Sequence, residues 1–402
     1  MLSRNTTLTI ITKFIMLLAN FGLVVFTTQL WGSGGRGEIA LVIANISIIL
    51  IFSNIFCGST VAYHAPVIER NLLLAISLSG AIIVSLAGGI IFAAVFGWEN
   101  FLPLFLITLL LSLISAVSSY WLGIKNITNY NLLSLLSPIF ILAALVIFYF
   151  ILNKTTLNII WLSYYTGLSV VLIIAVAGLT RNELFKVPET GFSGIKSILH
   201  YGVNNEFNYL IQFLNYRLSY YFIAGMLGLD KLGVFSIVVA VSEAVWIISR
   251  SMSAVHFSNV VNSDDHLKSR QETVAFARQS FLISLTALAV AVLIPRTGYQ
   301  FIFGEEFGSV KLLIIYLMPG ILAISVSNLY GHYFAGTGNL KVLRNKSLAG
   351  LAATLILLPL LIKKLQLTGA CISLNVSYII SSFWLWYVFM KEGRSAEVKA
   401  PE

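Results

Sequence analysis

Acidic residues are scarce, 16 in 402 positions, and only 10% of the chain is charged in either sense. A water-soluble domain is about a quarter charged, so a soluble globular fold is excluded. Cysteine is almost missing. Cys57 and Cys371 both fall in or beside apolar segments, which argues against a disulfide framework or a thiolate metal cluster and makes them small core residues. The five histidines, His64, His200, His256, His266 and His332, stand at loops or segment ends without metal-ligand spacing. Neither a Gly-x-Ser-x-Gly elbow nor a phosphate loop occurs, so no enzyme, cofactor or metal is expected. Long polar stretches are lacking too. The largest breaks, around Thr180 to Gly202 and Ser258 to Glu272, hold roughly 20 residues where a folded domain needs about 50.

What the chain does have is apolar length: 58% hydrophobic residues and a mean hydropathy of +0.90. A membrane-spanning helix takes about 20 mostly apolar residues, and about twelve such runs occur, separated by Gly, Asn, Pro or charge. In the first half they cover Thr7 to Trp31, Glu38 to Tyr63, Leu72 to Phe96, Phe101 to Gly123, Asn131 to Leu152 and Leu157 to Leu179. In the second they cover Asn204 to Leu227, Leu232 to Phe257, Val274 to Ile294, Val310 to Tyr330, Asn345 to Ile362 and Thr368 to Met390. The opening MLSRNTTLTIITKF is interrupted by Lys13 and has no small-residue cleavage pattern, so it reads as a retained first helix.

The net charge of +9 is a matter of topology. With the N-terminus in the cytoplasm, about 16 Lys and Arg, Lys346 among them, fall on the cytoplasmic side and about 7, Arg36 among them, on the other. Both termini are then cytoplasmic, and nucleic acid is not implied.

The two halves resemble each other. Gly32 and Gly37 in WGSGGRGEIALVIANISIILIFSNIFCGSTVAYHA match Gly228 and Gly233 in LGLDKLGVFSIVVAVSEAVWIISRSMSAVHFSNV, and Gly123 with Asn126 match Gly336 with Asn339. Residues 1–200 and 201–402 are therefore expected to form two six-helix bundles in the same orientation, a parallel repeat around a central cavity.

The seventh span is too polar for lipid. At 100° per residue Asn205, Asn208, Gln212, Asn215 and Ser219 form one stripe, which Glu206, Tyr209, Tyr216, Arg217 and Tyr220 widen on one side. A central Arg costs roughly 2.5 to 3.5 kcal/mol in a membrane unless it meets water or a partner. In the eighth span Ser236, Glu243 and Arg250 share a face at sevenfold spacing, and the first span carries Lys13, Asn20 and Thr27. Arg217 and Arg250 either pair with Glu206 or Glu243 as locks, or bind an anion through their planar guanidinium forks. Glu243 either neutralises Arg250 or, like Glu206, exchanges a coupling ion. Lys13 either joins the anion site or snorkels to the interface. Tyr209, Tyr216, Tyr220 and Trp246 either stack on sugars or pack helices together. Pro138 and Pro319 with Gly320 are candidate bends.

The span count, the two halves and the glycine-rich stretch from Trp31 resemble the polysaccharide flippases, O-antigen or Wzx-type, of the multidrug/oligosaccharidyl-lipid/polysaccharide (MOP) exporter superfamily. The resemblance implies an all-α, MATE-like membrane protein with a cationic cavity in which Arg217, Arg250, Asn208, Gln212, Asn215, Tyr216 and Lys13 meet substrate. It implies translocation of undecaprenyl-diphosphate-linked oligosaccharide repeat units to the periplasmic leaflet of a bacterial inner membrane by alternating access, within lipopolysaccharide assembly. Membrane lipids and other glycan-assembly membrane proteins would be its partners. The alternatives are a drug or cation antiporter of the same superfamily, a lipid II flippase, against which the twelve spans argue because that relative usually has fourteen, and a membrane-embedded polysaccharide polymerase.

Overall fold

The computed structural model describes residues 4–152, 156–180, 195–261 and 265–397. Twelve helices appear among them: α1 (Arg4–Ser53), α2 (Gly58–His64), α3 (Arg70–Phe96), α4 (Phe101–Gly123), α5 (Ile127–Leu152), α6 (Asn158–Thr180), α7 (Ile195–Leu227), α8 (Leu229–Val261), α9 (His266–Leu293), α10 (Arg296–Phe303), α11 (Val310–Gly336) and α12 (Leu340–Glu397). Nine helical stretches among the described residues are long and apolar enough to cross a membrane. The two longest of these, 54 and 53 residues, each hold two crossings, because the helix bends at Gly32 and at Gln366. Adding the polar α7 brings the crossings to the twelve read from the sequence. The chain is an all-α, multi-pass membrane protein.

Several breaks are shorter than hydropathy suggested. The chain passes from the first crossing to the second with a single non-helical residue, Gly32 at φ 60°. The predicted break around Ser258 to Glu272 narrows, since α8 runs to Val261 and α9 starts at His266. Polar side chains had masked helix that forms anyway: Asp265 caps α9 by accepting the Lys268 N–H at 2.9 Å, so the helix starts inside the polar segment. The second predicted span is instead broken before α2. Most of the break after Thr180 lies outside the described residues.

Packing is inverted relative to a water-soluble protein. On α3 the inner stripe is Ser77, Ala81, Ser85, Gly89 and Ala93, small residues four apart that are all buried. Ile83, Ile91 and Val95 are 61–70% exposed on the opposite face. With lipid as apolar as isoleucine, helices associate through close backbone approach and interhelical hydrogen bonds. A serine ladder does this in the second half: Ser249 and Ser280 both donate to the carbonyl of Ser325, at 2.6 and 3.0 Å, tying α8 and α9 to α11.

The chain divides into two compact units, 1–31 with 41–210, and 32–40 with 211–402. The loop matches found in the sequence recur as backbone geometry. After α4, Ile124 bonds to Tyr120, Lys125 (φ 62°) to Leu122 and Asn126 to Trp121. After α11, Thr337 bonds to Tyr333, Gly338 (φ 77°) to Ala335 and Asn339 to Phe334. Both are Schellman endings with one left-handed residue. The other match is closer still. A Cβ on Gly37 would lie 1.9 Å from the carbonyl oxygen of Leu229, and a Cβ on Gly233 would lie 1.8 Å from that of Ser33. The two equivalent turns thus cross backbone against backbone inside the second unit. Glu306 secures the helix that leaves the first turn by accepting the Ser33 N–H at 2.6 Å.

Pro319 sits inside α11, and the turn it opens is filled from outside. The Gly320 N–H and the Tyr316 carbonyl, partners in an unbroken helix, both bond the Asn375 carboxamide of α12. Asn375→Leu strands both groups in an apolar setting and is expected to cost about 1–3 kcal/mol, read as a lower unfolding temperature in detergent.

Candidate functional site

The polar stripe of α7 is shared between the two units. In the first, Glu206 is 5% exposed and accepts from Asn205 Nδ2 at 2.9 Å and Ser59 Oγ at 3.3 Å. It has no Lys, Arg or His partner among the described residues. Backbone proximity holds it there, since a Cβ on Gly202 would meet the Ile55 carbonyl at 2.3 Å. Below it Tyr63 and Tyr201 stack at 4.2 Å, and His64 is bonded at both ring nitrogens, to the Thr60 carbonyl and to Ser197. Asn208 is exposed and donates to the Asn204 carbonyl at 3.0 Å, a bond internal to α7. Lys13 is exposed on α1.

In the second unit the side chains converge. Arg217 of α7 donates to Glu243 of α8 at 2.7 Å and to the Tyr220 hydroxyl, with its guanidinium 4.9 Å from the Tyr220 ring centre. Glu243 is therefore the partner of Arg217, not of Arg250. Next to the pair, Tyr216, Trp246 and Tyr378 form an aromatic trio with centroid separations of 5.5, 5.9 and 5.7 Å. Trp246 and Tyr378 are buried, and Trp246 Nε1 donates to the Ile321 carbonyl, so these rings pack helices. Tyr216 is half-buried, beside the exposed Gln212.

Asn215 points elsewhere. It is buried against α12, where its carboxamide oxygen accepts from Ser377 at 3.0 Å and Thr354 at 3.4 Å, and Gly350 leaves the room it needs. That is a helix-packing seam. Arg250 of α8 is exposed, with no hydrogen bond or carboxylate partner among the described residues, and lies within electrostatic reach of Tyr216.

Charge counting places two further cations at the membrane faces, Arg36 on the outer side and Lys346 on the cytoplasmic side. Arg36 lies in the helix after Gly32, with its Nε bonded to Ser236 Oγ of α8 at 3.1 Å. Lys346 lies nearly two turns into α12 and is 9% exposed. The i, i+4 series Val342, Lys346, Gly350 and Thr354 was the available signal. Hydropathy counting treats a lysine near the start of a span as interfacial, which hid it.

No protein-family model and no curated protein matches the sequence. Solved structures do match in fold. The chain is similar to an inward-facing multidrug-resistance MATE family transporter of the MOP superfamily, with a TM-score of 0.74, 12% identity and 96% of each chain covered. It is similar to the lipid II flippase MurJ in an inward closed conformation, with a TM-score of 0.71, 12% identity, and 95% of this chain and 87% of that one covered. It is also similar to a MOP superfamily transporter from Pyrococcus furiosus whose binding pocket is of reverse polarity, with a TM-score of 0.66, 13% identity, and 99% and 96% covered. The fold is that of MATE-like MOP transporters.

Proposed function

We propose that this protein is a flippase for undecaprenyl-diphosphate-linked oligosaccharide repeat units, moving them by alternating access from the cytoplasmic to the periplasmic leaflet of a bacterial inner membrane, with both termini in the cytoplasm. The observation that carries the reading is Arg250, a guanidinium on a membrane helix with no carboxylate partner among the described residues. An unpaired cation in such a place is costly unless water or an anion meets it, and its planar fork suits phosphate oxygens. The fold shared with a lipid II flippase supports a lipid-linked cargo.

Within this reading Arg250, with Gln212 and Tyr216, contacts the anionic head group. Arg217 and Asn215 act through neighbours, the one as partner of Glu243 and the other in the α12 seam, so they position the site. Carrying about two negative charges outward across 100 mV, interior negative, is favourable by roughly 4 to 5 kcal/mol, so voltage assists the step, with Glu206 and Glu243 as the candidates for coupling to an ion.

A second reading, a drug or cation antiporter, draws on Glu206, a buried carboxylate held only by amide and hydroxyl donors among the described residues, and on the MATE fold. Deleting the gene and analysing lipid-linked saccharides separates the two. A flippase leaves a complete repeat unit accumulating on the cytoplasmic leaflet. Normal surface glycan with altered drug tolerance selects the antiporter.

A further inference from the structure

Resting on the flippase reading, we infer that Lys346 is the second cation of the head-group site, so that Arg250 and Lys346, with His332 beside them, hold the diphosphate.

Lys346 is 9% exposed, and its ammonium has neither a hydrogen bond nor an ion pair among the described residues. Its place on α12 is held from both sides. One turn before it, Val342 packs in a cluster with Val260 of α8 and Tyr330 and Tyr333 of α11. One turn after it, Gly350 abuts the Asn215 carboxamide of α7. The lysine stem thus lies on the inward face of its helix, between α7, α8 and α11.

Its electrostatic neighbours are basic. Arg250 acts on Lys346, and both act on His332 of α11, whose ring meets Phe257 at 6.0 Å. His256 completes the group, with Nε2 bonded to Thr273. Of the nearby acids, Glu243 pairs with Arg217 and Glu392 accepts from Asn339, which leaves Glu272, acting on His256 at the edge of the group. Like charges gathered in a low-dielectric setting repel, and a buried ammonium without a partner destabilises the fold that contains it. An anion carrying more than one charge relieves both costs. A diphosphate offers oxygens to a guanidinium and an ammonium at once, which the neutralised Arg217 does not provide.

The test uses the full chain in nanodiscs, with undecaprenyl diphosphate and inorganic pyrophosphate as probes. Lys346→Met keeps the stem and removes the charge, and should weaken undecaprenyl diphosphate binding about thirtyfold. Lys346→Arg should stay within about threefold of the parent. The ligand-free unfolding temperature of Lys346→Met should equal or exceed the parent's, since an uncompensated charge has gone. Binding within about twofold of the parent for Lys346→Met, together with loss in Arg250→Met, overturns the role of Lys346 and leaves the flippase reading standing. A fall in ligand-free unfolding temperature also overturns it, by revealing a structural partner. If the parent binds no undecaprenyl diphosphate, the flippase reading fails and this site fails with it. Competition by pyrophosphate at equal concentration supports the site but assigns its anion to a soluble diphosphate, whereas no competition assigns it to the lipid.

Discussion

Arg217→Met is expected to lower the unfolding free energy by about 2–3 kcal/mol, and adding Glu243→Leu is expected to restore most of it. Exposed ion pairs contribute roughly 0–1 kcal/mol, while breaking a buried pair costs roughly 3–5 because one charge is left alone. With side chains 23% and 36% exposed, this pair falls between those limits. The Tyr220 hydroxyl and ring add contacts that methionine replaces only in part. Arg250→Met, by contrast, breaks no bond and is expected to shift stability by less than about 0.5 kcal/mol. Thermal or denaturant unfolding of the purified variants gives both comparisons. Additive losses in the Arg217→Met/Glu243→Leu double variant would show that the two charges do not act as a pair.

A single methyl group at Gly37 or Gly233 is expected to be disruptive out of proportion to its size. Real Cβ atoms essentially never come within 3.0 Å of another heavy atom, yet here each would sit within 2 Å of a carbonyl oxygen that belongs to backbone. The turns must separate by about 1 Å, and such overpacking costs about 1–3 kcal/mol. Gly37→Ala and Gly233→Ala should each cost about that much, and the double variant only slightly more than either, because one methyl already parts the turns. A double-mutant cycle on unfolding temperatures checks this. Full additivity would mean that the two glycines guard separate contacts.

Crossing number and helix class were legible in the sequence because a lipid solvent imposes one length and one backbone solution. The glycine matches were legible because close backbone approach and left-handed turns admit few residues: Gly37, Gly233 and Gly338 all meet such demands, although Lys125 meets the last without being glycine. The candidate site was less readable. Helical periodicity placed Gln212, Asn215 and Arg217 on a polar arc, but it has no information about what stands opposite. Asn215 turned out to face Gly350 and Ser377, and Arg217 to face Glu243, contacts made across long stretches of sequence. Lys346 was missed for the converse reason, since a sum of charges over loops cannot tell a side chain held inward from one in water.

The nine residues 32–40 belong to the second compact unit although they precede most of the first in the chain. A fragment comprising 201–402 would therefore present Gly233 and Asp230 without the strip of chain that covers them. A fragment ending at 200 would carry that strip with nothing to lay it on. Cutting the polypeptide midway does not yield two self-sufficient pieces, and co-expressed fragments would have to re-form this crossing before either was whole.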